Sequence, residues 1–275
     1  MHTAIFDHLT TADKVGRLED YPLNHPEHVK EMLAELDNVR FATLDEPSLP
    51  DPTNTKEVQE YLERCALVAV LNQLPANSNQ PAPFTLYKRR FQDRLARDIL
   101  AEVEVNKQFY FDQLRDKFVP VAQAYKEAVQ KLPAQPFTDS ELLQWEPEQF
   151  GYYQQARDAA SQLKGFLSVA VDILCFMSSE RFTLDKLEDP NLLIVEPENV
   201  AQLFAVLDDS SEYDDAFNRL IPKVYHAVQR GAELKFNASD AALDCFNELS
   251  DEYEALTVED QRAVKAMVEY WEMED

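Results

Sequence analysis

The stretch 149–177, QFGYYQQARDAASQLKGFLSVAVDILCFM, decides the fold class. Tyr153, Ala156, Ala160, Leu163, Leu167, Ala170, Leu174 and Met177 recur three or four residues apart, the spacing at which an α-helix carries side chains on one face. Phe166, Val169, Val171, Ile173 and Phe176 make its second half apolar all round, so the segment reads as the central helix of a bundle. Pro147 suits its first turn, and Thr138 with Glu141 just upstream has capping-box spacing for a short helix that carries Trp145. The apolar run Phe166–Met177 is shorter than a bilayer span and contains Asp172, so no membrane insertion is expected.

Toward the N-terminus, Phe109, Phe111, Leu114, Phe118, Val121 and Tyr125 predict an aromatic-rich helix that kinks at Pro120 and ends before Pro133 and Pro136. Tyr87, Phe91, Leu95, Ile99 and Val103 recur every fourth residue and predict one apolar stripe along a preceding helix. Residues 76–83, ANSNQPAP, have linker composition. Thr55 opens a further helix through Val58, Leu62 and Cys65, and its apolar run 66–71 reads as buried on most faces. Ahead of it, Pro22, Pro26, Pro47, Pro50 and Pro52 flank one short helix over 27–36. Residues 1–52 therefore read as a loosely packed segment, followed by a single helical domain over 53–275.

Toward the C-terminus, Leu192 to Val195 resembles a strand but lacks a recognisable partner, so a buried extended connector is expected. Three helices follow. The first carries Tyr213, Phe217, Leu220 and Val224 and ends near Gly231; the second carries Ala242, Phe246, Leu249 and Tyr253. The third carries Val264, Met267, Val268 and Trp271 behind a Thr257–Asp260 cap. No repeat of fixed period is present. The predicted fold is all-α, an irregular bundle of about eight to ten helices around one long central helix.

Composition points the same way. Only 4 of 275 residues are glycine, whereas average usage is roughly 7%, and hairpins, bulges and phosphate loops all draw on glycine. The three cysteines, Cys65, Cys175 and Cys245, are far apart inside apolar helical patterns and read as reduced core thiols. The opening MHTAIFDHLTTADK lacks a basic start followed by an apolar run, so no signal peptide is expected. A cytoplasmic location follows from both.

Charge carries most of the functional information. There are 51 acidic and 26 basic side chains, a formal net of −25. Residues 185–275 hold 23 acidic and 7 basic residues, a net of −16, and form the negative pole of the sequence. A field of that sign repels nucleic acid and anionic lipid and attracts basic partners.

The sequence contains no motif with specific chemistry. A di-iron bundle needs Glu-x-x-His pairs, and none occurs. Of the five histidines only His25 and His28 approach ligand spacing, and HPEH reads as a surface loop. Asp208, Asp209, Glu212, Asp214 and Asp215 lack the glycine and rhythm of a calcium loop and read as a solvated helix start. Glu233-Leu234-Lys235 has the spacing of a nuclease triad without a strand to hold it. Lys88, Arg89, Arg90, Arg94 and Arg97 are diluted by Asp93 and Asp98, which points to pairing within the protein. Asp172, amid FLSVAVDILCFM, is the candidate buried carboxylate, expected in an ion pair with an arginine such as Arg90, Arg94 or Arg97.

The expected function is a non-enzymatic acidic protein, an adaptor, assembly factor or inhibitor, that binds a basic surface of a protein partner. The expected contacts are Asp208, Asp209, Glu212, Asp214, Asp215, Asp251, Glu252, Tyr253, Glu254, Tyr270 and Trp271. No cofactor, metal, direct nucleic-acid contact or membrane is expected. Two alternatives remain: a DNA mimic that inhibits a nucleic-acid-binding protein, which requires a continuous negative stripe, and a helical enzyme using Asp172 in an apolar pocket.

Overall fold

A computed structural model describes residues 8–20, 23–44, 47–49, 53–73, 81–207 and 213–269. Among the described residues the chain forms thirteen α-helices and one pair of two-residue strands, an all-α protein with one long central helix. Ten of the helices have eight or more residues. Compactness divides the chain into two units, Met1–Val105 and Asn106–Asp275, a division further along the chain than the Pro-rich boundary at 52.

The first unit holds α1 (His8–Gly16), α2 (Glu27–Phe41), α3 (Thr55–Asn72) and α4 (Pro83–Val105), with a 3-10 turn over Arg17–Asp20. Helices α1 and α2 pack on the second half of α4, burying Ala12, Val15, Val29 and Leu36 with Ile99 and Val103. Arg40 at the end of α2 bonds Asp13 of α1 and Asp37 one turn back, which ties the two helices together.

Two expectations fail here, for geometric reasons. The every-fourth-residue pattern of α4 does not stay on one face, because 3.6 residues per turn rotates each such step by about 40°. The stripe therefore winds around the helix, so Tyr87 and Phe91 are exposed while Ile99 and Val103 are buried. The apolar run 66–71 reads as buried on most faces, yet no side chain in α3 is buried. Its main contact among the described residues is with α4, it carries a half-buried row of Val58, Tyr61, Cys65, Val68 and Leu71, and Leu62, Leu67 and Val70 are exposed.

The second unit is built on α5 (Lys107–Val129) packed along α7 (Pro147–Phe176), with the short α6 (Asp139–Leu142) between them in sequence. Tyr110, Leu114, Phe118 and Tyr125 of α5 meet a face of α7 that includes Ala156, Ala160, Leu163, Ala170 and Leu174, all buried. Small residues on α7 let bulky ones on α5 interdigitate. Helix α5 continues through Pro120. The Thr138–Glu141 capping box and Pro147 at the first turn of α7 are both present. By length and hydropathy α7 alone among the described helices meets the composition of a membrane-crossing helix, but ten of its residues are buried inside this unit.

After α8 (Ser178–Leu184), residues Leu192 to Val195 are buried, and Val195–Glu196 forms β1. The missing partner lies 38 residues on: β1 pairs antiparallel with β2 (Glu233–Leu234), Val195 opposite Leu234. The connector is thus paired rather than lone, because its backbone groups are buried and need hydrogen bonds. Helices α9 (Val200–Leu207), α10 (Asp215–Asn218), α11 (Pro222–Gln229), α12 (Ser239–Ala255) and α13 (Val258–Glu269) complete the unit.

The helix expected over 213–231 is two, α10 and α11. Pro222 disfavours helical backbone at Ile221, which instead adopts φ 57°, ψ 79°. Tyr125 Oη donates to the Leu220 carbonyl at this break, and Tyr153 Oη donates to Ala216 O at 3.1 Å. Helix α11 ends at Gly231, φ 91°, where Ala232 N donates to Ala227 O and Gly231 N to Val228 O, both at 2.9 Å. That is the paired-bond closure for which glycine is favoured.

Candidate functional site

Helix α12 contains no lysine or arginine and carries Asp240, Asp244, Glu248, Asp251, Glu252 and Glu254. It folds as a helix because Ala242, Phe246, Leu249 and Tyr253 repeat at helical spacing and turn inward. The intervening carboxylates are all exposed. Asp240, Asp244, Glu248 and Asp251 fall within one side of the helix, about one per turn over roughly 17 Å. No lysine or arginine among the described residues lies within ion-pairing distance of these four. Glu259 and Asp260 at the start of α13 continue the acidic surface, and Asp260 also closes the Thr257 cap at 2.7 Å.

Besides its packing on α8 and α9, α12 is anchored at its first turn by a buried carboxylate that sequence reasoning missed. Glu180 of α8 is 3% exposed. Its Oε2 accepts from Ser239 N at 3.2 Å and Ser239 Oγ at 2.6 Å, and Lys107 Nζ stands 3.3 Å from Oε1. A carboxylate at the first turn of α12 satisfies orphan amide donors and complements the helix dipole. Nothing in SSERF marks Glu180, since its partners are 73 and 59 residues distant. The paired polar partners appear only in three dimensions.

The expected contact residues separate into three groups. Asp208, Asp209, Glu212, Tyr270 and Trp271 lie outside the described residues. Asp251, Glu252 and Glu254 are exposed on α12, while the Tyr253 ring packs edge-on against Phe204 at 4.7 Å and so serves the contact of α12 with α9. Asp214 and Asp215 sit at the start of α10, where Asp214 Oδ2 accepts from Asp139 N at 3.1 Å and Asp139 Oδ1 accepts from Ala216 N at 2.8 Å. The two helix starts α6 and α10 cap each other. Asp214 therefore has a structural task as well as a charge.

Asp172 is half-buried on the flank of α7 rather than enclosed. Arg94 lies 3.8 Å from Asp98 and Arg97 2.5 Å from Asp93, each one turn away on α4, and Arg90 lies over the Tyr87 ring. The nuclease-like Glu233 and Lys235 are likewise engaged structurally: Lys126 Nζ is 2.6 Å from Glu233, and Lys235 Nζ is 2.7 Å from Glu196 across the strand pair. The three cysteines are half-buried thiols rather than enclosed ones. Burial, with Glu196 and Glu248 nearby, pushes the Cys245 thiol upward in pKa.

The HPEH segment is not a surface loop. His25 is 4% exposed, packed below α1, and burial lowers its pKa against the opposing pull of Glu19 and of a hydrogen bond to the Val15 backbone. His28 is exposed on α2, 3.7 Å from Glu31. A cavity of about 440 Å³ adjoins His25, lined also by Asp13, Arg17, Glu19, Lys30 and Arg40. Asp172 is not part of it. Among the described residues no three His, Cys, Asp or Glu side chains converge as metal ligands.

The chain matches no protein-family model, no curated protein and no solved structure.

Proposed function

We propose that the chain is a non-enzymatic acidic helical protein that binds a basic surface of a partner protein, with α12 as the centre of its contact face. The observation that carries this reading is the uncompensated carboxylate row Asp240, Asp244, Glu248 and Asp251 on a helix without a single cation. Like charges on one helix face destabilise it by a few tenths of a kcal/mol per pair, so the row is a standing cost to folding that a basic partner relieves. Electrostatic attraction of this kind speeds encounter and weakens with salt.

The even, one-per-turn spacing also favours the narrower reading in which the row imitates a phosphate backbone and occupies a nucleic-acid-binding protein. Affinity capture with the tagged full chain from a lysate of its source cell, at low and moderate salt, tests both. A retained basic protein that salt releases supports the binding role, and its release by duplex DNA supports mimicry. Retention of nothing salt-sensitive contradicts both.

A further inference from the structure

We propose that the cavity between α1 and α2 binds a small carboxylate with an apolar body. At about 440 Å³ it falls within the range of roughly 300–1,000 Å³ usual for small-molecule sites. Small residues leave the space open: Ala12 and Gly16 on α1 and Ala34 on α2. A Cβ at Gly16 would already meet Leu33 Cδ2 at 3.6 Å, so a larger side chain there would crowd the opposite wall. Ala12, Leu36 and His25 on the wall are 0%, 2% and 4% exposed, which gives a hydrocarbon body a surface to bury against.

The charged groups on the wall decide the head group. Arg40 is held by Asp13 and Asp37, so those three charges already satisfy one another. The remaining charges are Arg17, Lys30 and Glu19, a net of +1 in a protein of net −25. Among the described residues no carboxylate lies within ion-pairing distance of Arg17 or Lys30. Lys30 is half-buried and close enough to His25 to oppose its protonation, while Glu19 acts on the same imidazole in the opposite sense. Cation and carboxylate thus share one part of the wall without closing on each other.

A half-buried ammonium gains from an anion that replaces part of its lost hydration. A monocarboxylate carries the single negative charge that balances this wall, and it matches the flat guanidinium fork of Arg17. A phosphate monoester, with close to two charges at neutral pH, exceeds that balance inside a strongly acidic protein.

NMR titration of the full chain with phenylacetate tests this, since amide shifts report where the probe sits. The expected result is saturable shifts confined to the residues around the cavity, with a dissociation constant of about 1 mM or tighter. The neutral phenylacetamide and the more highly charged phenyl phosphate are each expected to bind at least about threefold more weakly. Arg17→Gln and Lys30→Gln, at positions outside the core, should each weaken phenylacetate about threefold to tenfold with unchanged helical circular dichroism. Lys56→Gln, on α3 with its side chain 86% exposed, should leave the affinity unchanged. Absence of saturation up to about 20 mM overturns the proposal. So does tighter binding of phenyl phosphate, or a loss with Lys56→Gln equal to that with Arg17→Gln and Lys30→Gln.

Discussion

A carboxylate taken out of water destabilises a fold by several kcal/mol unless hydrogen bonds and a counter-charge replace its hydration. Glu180 receives both, from Ser239 and Lys107. Glu180→Ala leaves the Ser239 amide and hydroxyl buried without that acceptor, and is expected to lower stability in urea by about 3 kcal/mol, while Ser239→Ala lowers it by about 1. Equal effects of the two would argue against the carboxylate as the centre of this network. His25 acts through protonation. Burial sets its native pKa below the ordinary 6.5, so the unfolded chain binds a proton that the folded chain resists as pH falls below that value. Stability from this residue is present above the ordinary value and is lost through the window below it. Thermal melts of the wild type and His25→Gln across that range are expected to diverge as pH falls, with the wild type losing more. Parallel curves would contradict it. Neither residue was legible beforehand: Glu180 sits in an ordinary polar run, and the burial of His25 depends on how α1 covers it.

At the level of the element, helical spacing located the long helices and several of their ends. Pro147, Thr138 with Glu141, and Thr257 with Asp260 all sit at the helix starts that their chemistry implies. Spacing failed where it had to decide depth. The Tyr87-to-Val103 repeat winds from water into the core, and the apolar run of α3 finds its main contact among the described residues in α4 alone, leaving no side chain of α3 buried. The β1–β2 pair escaped notice because two residues per strand carry no periodicity. The break between α10 and α11 was written in Ile221-Pro222, whose local geometry outweighs an otherwise continuous apolar face. Gly231 closes α11 with positive φ, and a Cβ there would meet Gln202 Nε2 only at 3.7 Å. Gly231→Ala should therefore cost about 1 kcal/mol from backbone conformation alone. A loss several times larger in urea denaturation would mean that packing, not φ, governs the site.

Across the whole molecule, charge is the property most directly readable from sequence, and its arrangement is what folding adds. Composition showed that residues 185–275 are acidic, but the gathering of four carboxylates on one face of α12 depends on which side of that helix Ala242 and Leu249 bury. The proposed function rests on that arrangement rather than on net charge, since a scattered distribution of the same residues would steer weakly and fit nothing. The decisive measurement is the affinity of the captured partner for the wild type and for the chain carrying Asp240→Asn, Asp244→Asn, Glu248→Gln and Asp251→Asn, each across a range of salt. Exposed charges at an interface contribute a few tenths to about 1 kcal/mol apiece, so the fourfold variant should bind between about tenfold and about a thousandfold more weakly at low salt, with a shallower salt dependence. Equal affinity and equal salt dependence in the two proteins would contradict the assignment of α12 as the contact face.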